Sequence, residues 1–183
     1  MIAPLIEIEL IETGSVVLTG YDWLILTSVT GAHELKRRAA GHPGRVAAIG
    51  KATADAWGTK VDLVPAASTQ EGLLAELPRP AGRVLFAGAE NARSLLAEEL
   101  DADFVALYRT KAIAPSEPLH GDVVVLASPS AASSFAALGL SIPAVTIGPE
   151  TTRVAEELGV RVIREADTHD VGGLAGAVMR LSR

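Results

Sequence analysis

VTIGPETTRVAEELG, residues 145–159, and VAAIGKATADAWG, residues 46–58, share one layout: a short apolar run, an Ile-Gly stop and the start of a helix. Other landmarks repeat with them. LILTS ends at Ser28 and VVLAS at Ser128, an offset of 100. Ile49-Gly50 matches Ile147-Gly148 at an offset of 98, and Gly72-Leu73 in STQEGLL matches Gly173-Leu174 in HDVGGLA at 101. Three landmarks in one order, at a near-constant spacing, imply two similar α/β units.

The runs WLILT, RVLFAG and DVVVLAS are continuously apolar rather than alternating. That suits strands of a parallel sheet buried on both faces. Strands are predicted near 3–10, 23–27, 46–49, 61–64, 83–87, 103–107, 123–127, 144–147 and 160–163. Helices are predicted near 30–40, 52–58, 70–77, 90–100, 130–138, 151–158 and 171–181. This alternation gives an α/β fold with right-handed crossovers. Two segments break it: about 11–22, and about 108–122 with its two prolines and no helical period. Both read as crossings between two lobes, one of residues 14–107 and one of 1–13 with 111–183. The alternative is a single sheet with two long surface loops.

Of the 183 residues, 49% are apolar and only 4% aromatic, so the core must be built from Val, Leu, Ile and Ala. There is no cysteine, which excludes disulfides and thiolate metal sites. MIAPLIEIELIE has no basic stretch and does not read as a signal peptide. No apolar run reaches the roughly 18 residues of a membrane span, and a cytoplasmic location is expected. A net charge of -6 argues against nucleic acid as a partner. It leaves room for an anionic small ligand held by local dipoles.

In an open parallel sheet, the turns after the strands are where ligands bind. Each repeated landmark is such a turn. Ser or Thr there can cap a helix, and the remaining N–H groups suit a carboxylate or phosphate. On this reading Thr27, Ser28, Thr53, Ser128, Ser130 and Thr151, with Gly148 at its turn, ring a cleft between two lobes. The competing reading is that the hydroxyls only cap their helices. Lys51 opposes the dipole of its own helix, which a bound anion would explain, as would simple exposure to solvent. His33, His42, His120 and His169 show no metal-ligand spacing, and no G-x-G-x-x-G, P-loop or G-x-S-x-G motif is present. Tyr108, one of two tyrosines, lies where the chain leaves one lobe. Its phenol could donate a proton to a ligand or pack the lobe junction.

YDWLILTSVTGAHEL, VAAIGKATADA, RVLFAGAENARSLLAEEL, the Tyr108-Arg109-Thr110 stretch, DVVVLASPSAASSF and VTIGPETTRVAEELGV resemble, in order and spacing, the uroporphyrinogen-III synthase family. The resemblance covers essentially the whole chain. It implies two flavodoxin-like parallel-sheet domains joined by two crossing strands, with the active site in the cleft between them. The implied reaction is cyclisation of the linear tetrapyrrole hydroxymethylbilane to uroporphyrinogen III with inversion of the last ring. No metal or organic cofactor is used. By the motif match, Tyr108 takes the position of the family's tyrosine and is the candidate to protonate the leaving hydroxyl. Thr151 takes that of the threonine after Ile-Gly-Pro, and Ser128 and Ser130 fall on the family's SPS turn. Thr27, Ser28, Lys51 and Thr53 lie on the corresponding turns of the middle lobe.

The chain also departs from the family pattern. Members open with a strand and helix before the segment that here reads APLIEIEL, so the outer domain is expected to lack its first strand-helix unit. Three explanations stand: a start upstream of Met1, which is favoured; a short form repaired by dimerisation; or a non-catalytic tetrapyrrole-binding relative. A monomer is otherwise expected. FAGAENAR also lacks the Arg-Gly that many members carry after this strand.

Overall fold

The computed structural model describes residues 3–12 and 14–182. The chain divides into two compact units, Ile8–Thr110 and Met1–Glu7 with Lys111–Arg183. The passages between them fall after Glu7 and after Thr110, so residues 11–22 lie inside the first unit rather than forming a crossing.

The Ile8–Thr110 unit is built on a mixed α/β succession. Its strands are β1 (Ile6–Leu10, which begins in the other unit), β2 (Val16–Val17), β3 (Trp23–Leu26), β4 (Ala39–Ala40), β5 (Arg45–Ala48), β6 (Val84–Ala89) and β7 (Asp103–Ala112, which ends in the other unit). Its helices are α1 (Val29–Arg38), α2 (Lys51–Trp57), α3 (Gln70–Glu76) and α4 (Leu95–Leu100). The main sheet has the order β1-β7-β6-β3-β5, with β3 pairing in parallel with both β5 and β6. Trp23, Leu24, Ile25 and Leu26 of β3 are all buried, which is why this strand reads as an unbroken apolar run. The pleat sends them to opposite faces. Leu24 and Leu26 join Leu35 of α1 and Trp57 of α2 in one cluster, and Trp23 and Ile25 join Leu73 of α3 and Leu96 of α4 in another. Burying each such leucine contributes about 1.5–3 kcal/mol.

The second unit repeats this plan on a smaller scale. Its strands are β8 (Val124–Leu126), β9 (Ala144–Thr146) and β10 (Val162–Glu165), and its helices are α5 (Pro129–Ala136), α6 (Pro149–Glu157) and α7 (Val171–Met179). The sheet order is β10-β9-β8, all parallel. Leu126 and Ala144 pack with Phe135 of α5 and Ala155 of α6, while Val145 packs with Leu174 and Ala177 of α7. β3 has a hydrogen-bonded neighbour on both sides, whereas β8 ends its sheet. A groove of about 540 Å³, lined by Leu5, Val124, Leu126, Phe135 and Ile142 among others, opens beside β8.

Several elements differ from their sequence-based expectation. The strand expected at 61–64 is a single bridge, Ala47 to Leu63. The Asp62 carboxylate accepts the Val46 N–H at 3.0 Å and so takes a donor that a longer ladder could use. The helix expected from residue 90 begins at Leu95, because Glu90 N–H still donates to Tyr108 O at 2.7 Å and extends the chain alongside β7. Residues 11–22 contain β2, which pairs in parallel with β4 just after α1.

Candidate active site

Two of the three repeated landmarks are helix N-caps in both units, and the third, Gly72-Leu73 and Gly173-Leu174, begins three residues after a cap; the backbone at all three caps matches. Ser28 (φ −156°, ψ 152°) caps α1 and Ser128 (φ −163°, ψ 158°) caps α5. Gly50 (φ −169°, ψ 171°) precedes α2 and Gly148 (φ 176°, ψ 177°) precedes α6. Thr69 (φ −131°, ψ 164°) caps α3 and Asp170 (φ −143°, ψ 176°) caps α7. The extended cap orients a side-chain oxygen back onto the first turn. Ser28 accepts from Gly31 N–H at 3.0 Å and Ser128 from Ala131 N–H at 3.1 Å.

Gly50 and Gly148 have extended dihedrals that any residue could adopt. They are small because of what lies over them. A Cβ at Gly50 would sit 3.0 Å from Ser68 Oγ, and one at Gly148 would sit 2.9 Å from His169 Cδ2. Ser68 and His169 are themselves 101 residues apart, each directly before its cap, so both units cover the glycine turn in the same way. Sequence reasoning left both residues out of the site; continuing the 101-residue offset back from Gly72 and Gly173 would have found them. Neither glycine turn has a side-chain cap, so first-turn N–H groups of α2 and α6 are not taken by a capping side chain.

In the Ile8–Thr110 unit the fold brings Tyr108 and Ser28 together. Tyr108 lies on β7 and is 8% exposed, and its O–H donates to Ser28 Oγ at 2.9 Å. Burial pushes its phenol above the usual tyrosine value, and the bond to Ser28 partly offsets that shift. Thr27, half-buried, follows β3; its hydroxyl would lie 3.4 Å from a Cβ at Gly88, at the end of β6. Thr53 is buried in the first turn of α2. Lys51 does not support the anion argument made for it. It is exposed and pairs with Asp55 one turn later, with Nζ to Oδ2 at 2.7 Å, so its own helix supplies the counter-charge.

In the second unit Gly148 and Thr151 are buried at the start of α6, and Ser130 is half-buried in the first turn of α5. A chain of hydroxyls that the sequence did not reveal runs beside them. Thr152 Oγ1 lies 2.6 Å from Thr146 Oγ1, at the end of β9, and donates to Glu165 Oε2 at the end of β10. A hydroxyl has one proton, so Thr146 donates to Thr152 and Thr152 to the carboxylate. Among the described residues, no helix is long and apolar enough to cross a membrane.

No curated protein sequence matches the chain. Among solved structures, a uroporphyrinogen-III synthetase from Helicobacter pylori superposes with a TM-score of 0.63 at 19% identity, covering 97% of this chain and 91% of that one. A mutant uroporphyrinogen III synthase from Thermus thermophilus gives 0.66 at 17% identity, covering 97% and 86%. At such identities these likenesses speak to the fold, an α/β architecture with parallel sheets. The model of the family described as uroporphyrinogen-III synthase HemD matches residues 1–176. The chain therefore belongs to the uroporphyrinogen-III synthase family, the cyclising lyases of tetrapyrrole biosynthesis.

Proposed function

We propose that this chain cyclises hydroxymethylbilane to uroporphyrinogen III with inversion of the last ring, and that Tyr108 is the source of the proton taken by the departing hydroxyl. The observation that carries the residue assignment is the buried Tyr108 phenol hydrogen-bonded to Ser28 at the end of β3. A group held protonated by burial is matched to donation rather than to base catalysis. The substrate supplies much of its own reactivity, since loss of its hydroxyl leaves an electrophilic azafulvene. The protein's task is then to fix a folded conformation and assist the departure.

The substrate carries eight acetate and propionate groups, and we assign their capture to the turns. The best supported is the start of α6, where Gly148 carries no side-chain cap and Thr151 is buried beside it. Ser128 and Ser130 flank the start of α5 in the same unit, and Thr27, Ser28 and Thr53 are their counterparts. Lys51 is a weaker member because Asp55 engages it. The two compact units are taken as the family's two domains, and the protein as a cytoplasmic monomer that needs no metal or organic cofactor. Light scattering coupled to gel filtration checks the monomer.

The isomer assay tests the reaction. The chain is given freshly prepared hydroxymethylbilane, and the oxidised type I and type III products are separated. Type III above the enzyme-free control is expected. Type I alone, from protein shown to be folded by circular dichroism, would reject the catalytic reading and leave a tetrapyrrole-binding relative.

A further inference from the structure

We propose that Ser28 is the group that hands the proton to the departing hydroxyl, and that Tyr108 recharges Ser28 from behind. The inference rests on the catalytic reading above and deepens it. Tyr108 O–H is committed to Ser28 Oγ at 2.9 Å, and the ring is buried to 8% exposure. The same Oγ accepts Gly31 N–H at 3.0 Å. A serine hydroxyl has two acceptor sites and one proton. Both acceptor sites are filled, so the capacity left to Ser28 is to donate. Ser28 is also half-buried where Tyr108 is buried. The phenol proton therefore points into the protein, and the proton available to a ligand at this turn belongs to the serine.

The step balances without an added reagent. The carbon–oxygen bond of the hydroxymethyl group breaks and its electron pair leaves with oxygen. That oxygen takes the Ser28 proton and departs as water, while Ser28 Oγ takes the Tyr108 proton. The pyrrole nitrogen's lone pair fills the vacated carbon. The proton released when the newly joined rings regain aromaticity returns to the phenolate. Burial makes an isolated Tyr108 a reluctant acid; the concerted transfer forms no serine alkoxide, and the transient phenolate accepts the hydrogen bond of the Ser28 hydroxyl it has just recharged.

The test is a double-mutant cycle with a proton inventory. Asn caps a helix about as well as Ser but cannot both accept the phenol proton and pass on its own. Type III turnover is measured for Tyr108→Phe, Ser28→Asn and the double variant, with circular dichroism verifying the fold. Each single change is expected to lower kcat by about 10²–10⁴-fold. The double variant should lose no more than the worse single one, and Ser28→Thr should restore most of what Ser28→Asn removes. In mixed light and heavy water, wild-type rates should curve, as two moving protons require, and those of Tyr108→Phe should not. Losses that multiply in the double variant, a fully active Ser28→Asn, or a linear wild-type inventory would overturn the relay. None of these would touch the synthase reading, which fails separately if the wild-type chain yields only type I.

Discussion

Gly173→Ala and Gly176→Ala place the same methyl group in the same helix and should change stability in opposite directions. In an unobstructed helix, Ala is favoured over Gly by about 1 kcal/mol. At Gly176 the added Cβ would meet only Arg180 Nη1, at 3.7 Å, an ordinary contact, so a gain of about 0.5–1 kcal/mol is expected. At Gly173 it would sit 2.0 Å from the Thr168 carbonyl oxygen and 2.5 Å from Thr168 Oγ1. Reaching an ordinary separation requires the backbone before Asp170 to retreat by about 1.4 Å. Overpacking of this kind costs about 1–3 kcal/mol. The retreat also pulls on the Asp170 cap, whose 2.7 Å bond to Gly173 N–H is worth about 1 kcal/mol. Against the helix gain, Gly173→Ala should lose roughly 1–3 kcal/mol. Urea unfolding followed by circular dichroism reads both variants. Equal stabilities for the two would refute the close approach and with it the explanation of the repeated Gly-Leu. Gly72→Ala should behave like Gly173→Ala, since its Cβ would meet Ala67 O at 2.1 Å.

Other consequences can be measured on the same material. Arg38 is buried and donates to Gly14 O at 2.7 Å and Ile11 O at 2.8 Å while lying 3.6 Å from Glu34. Arg38→Met should cost about 2–4 kcal/mol in urea unfolding, because Glu34 keeps Arg37 but the loop loses both charged donors; a loss below about 1 kcal/mol would contradict it. Asp62 is held below the usual carboxylate range, first by Lys60 and then by Val46 N–H. A depressed acid contributes stability above its unfolded value, near 3.8, that is lost as pH falls through the lower folded value. Asp62→Asn should therefore flatten part of the acid limb of the stability profile, and an unchanged limb would exclude the linkage. Tyr108 is raised by burial, so its contribution is present below pH 10.0 and fades as pH climbs through the folded value. In a Tyr21→Phe background, ultraviolet titration should find the remaining tyrosine ionising above 10.0, and higher still after Ser28→Ala removes the bond that lowers it.

What was legible in the sequence was local. The run WLIL announces a strand covered on both faces, and the structure divides it between two clusters, Leu24 and Leu26 on one side and Trp23 and Ile25 on the other. Ser28, Ser128 and the Gly-Leu pairs announce helix starts, because capping and close approach are decided within a few residues of chain. The repeat and the family resemblance follow from that same local grammar, as does the parallel α/β class. Whatever depends on distant residues meeting was not legible. The Tyr108–Ser28 bond joins positions 80 apart. The Thr146–Thr152–Glu165 chain joins the ends of two strands through a helix. Even Lys51 was misread for want of geometry: Asp55 lies one turn on, yet only the built helix brings the two within 2.7 Å. Residues 61–64 have strand composition, but a strand also needs a partner with free donors, and the Asp62 carboxylate had taken one. Periodicity and caps are properties of a few consecutive residues, so the sequence alone decided most of the elements, and pairing with distant chain decided the rest. Which hydroxyl meets which phenol depends on how sheets and helices pack, so only the tertiary structure decided the site.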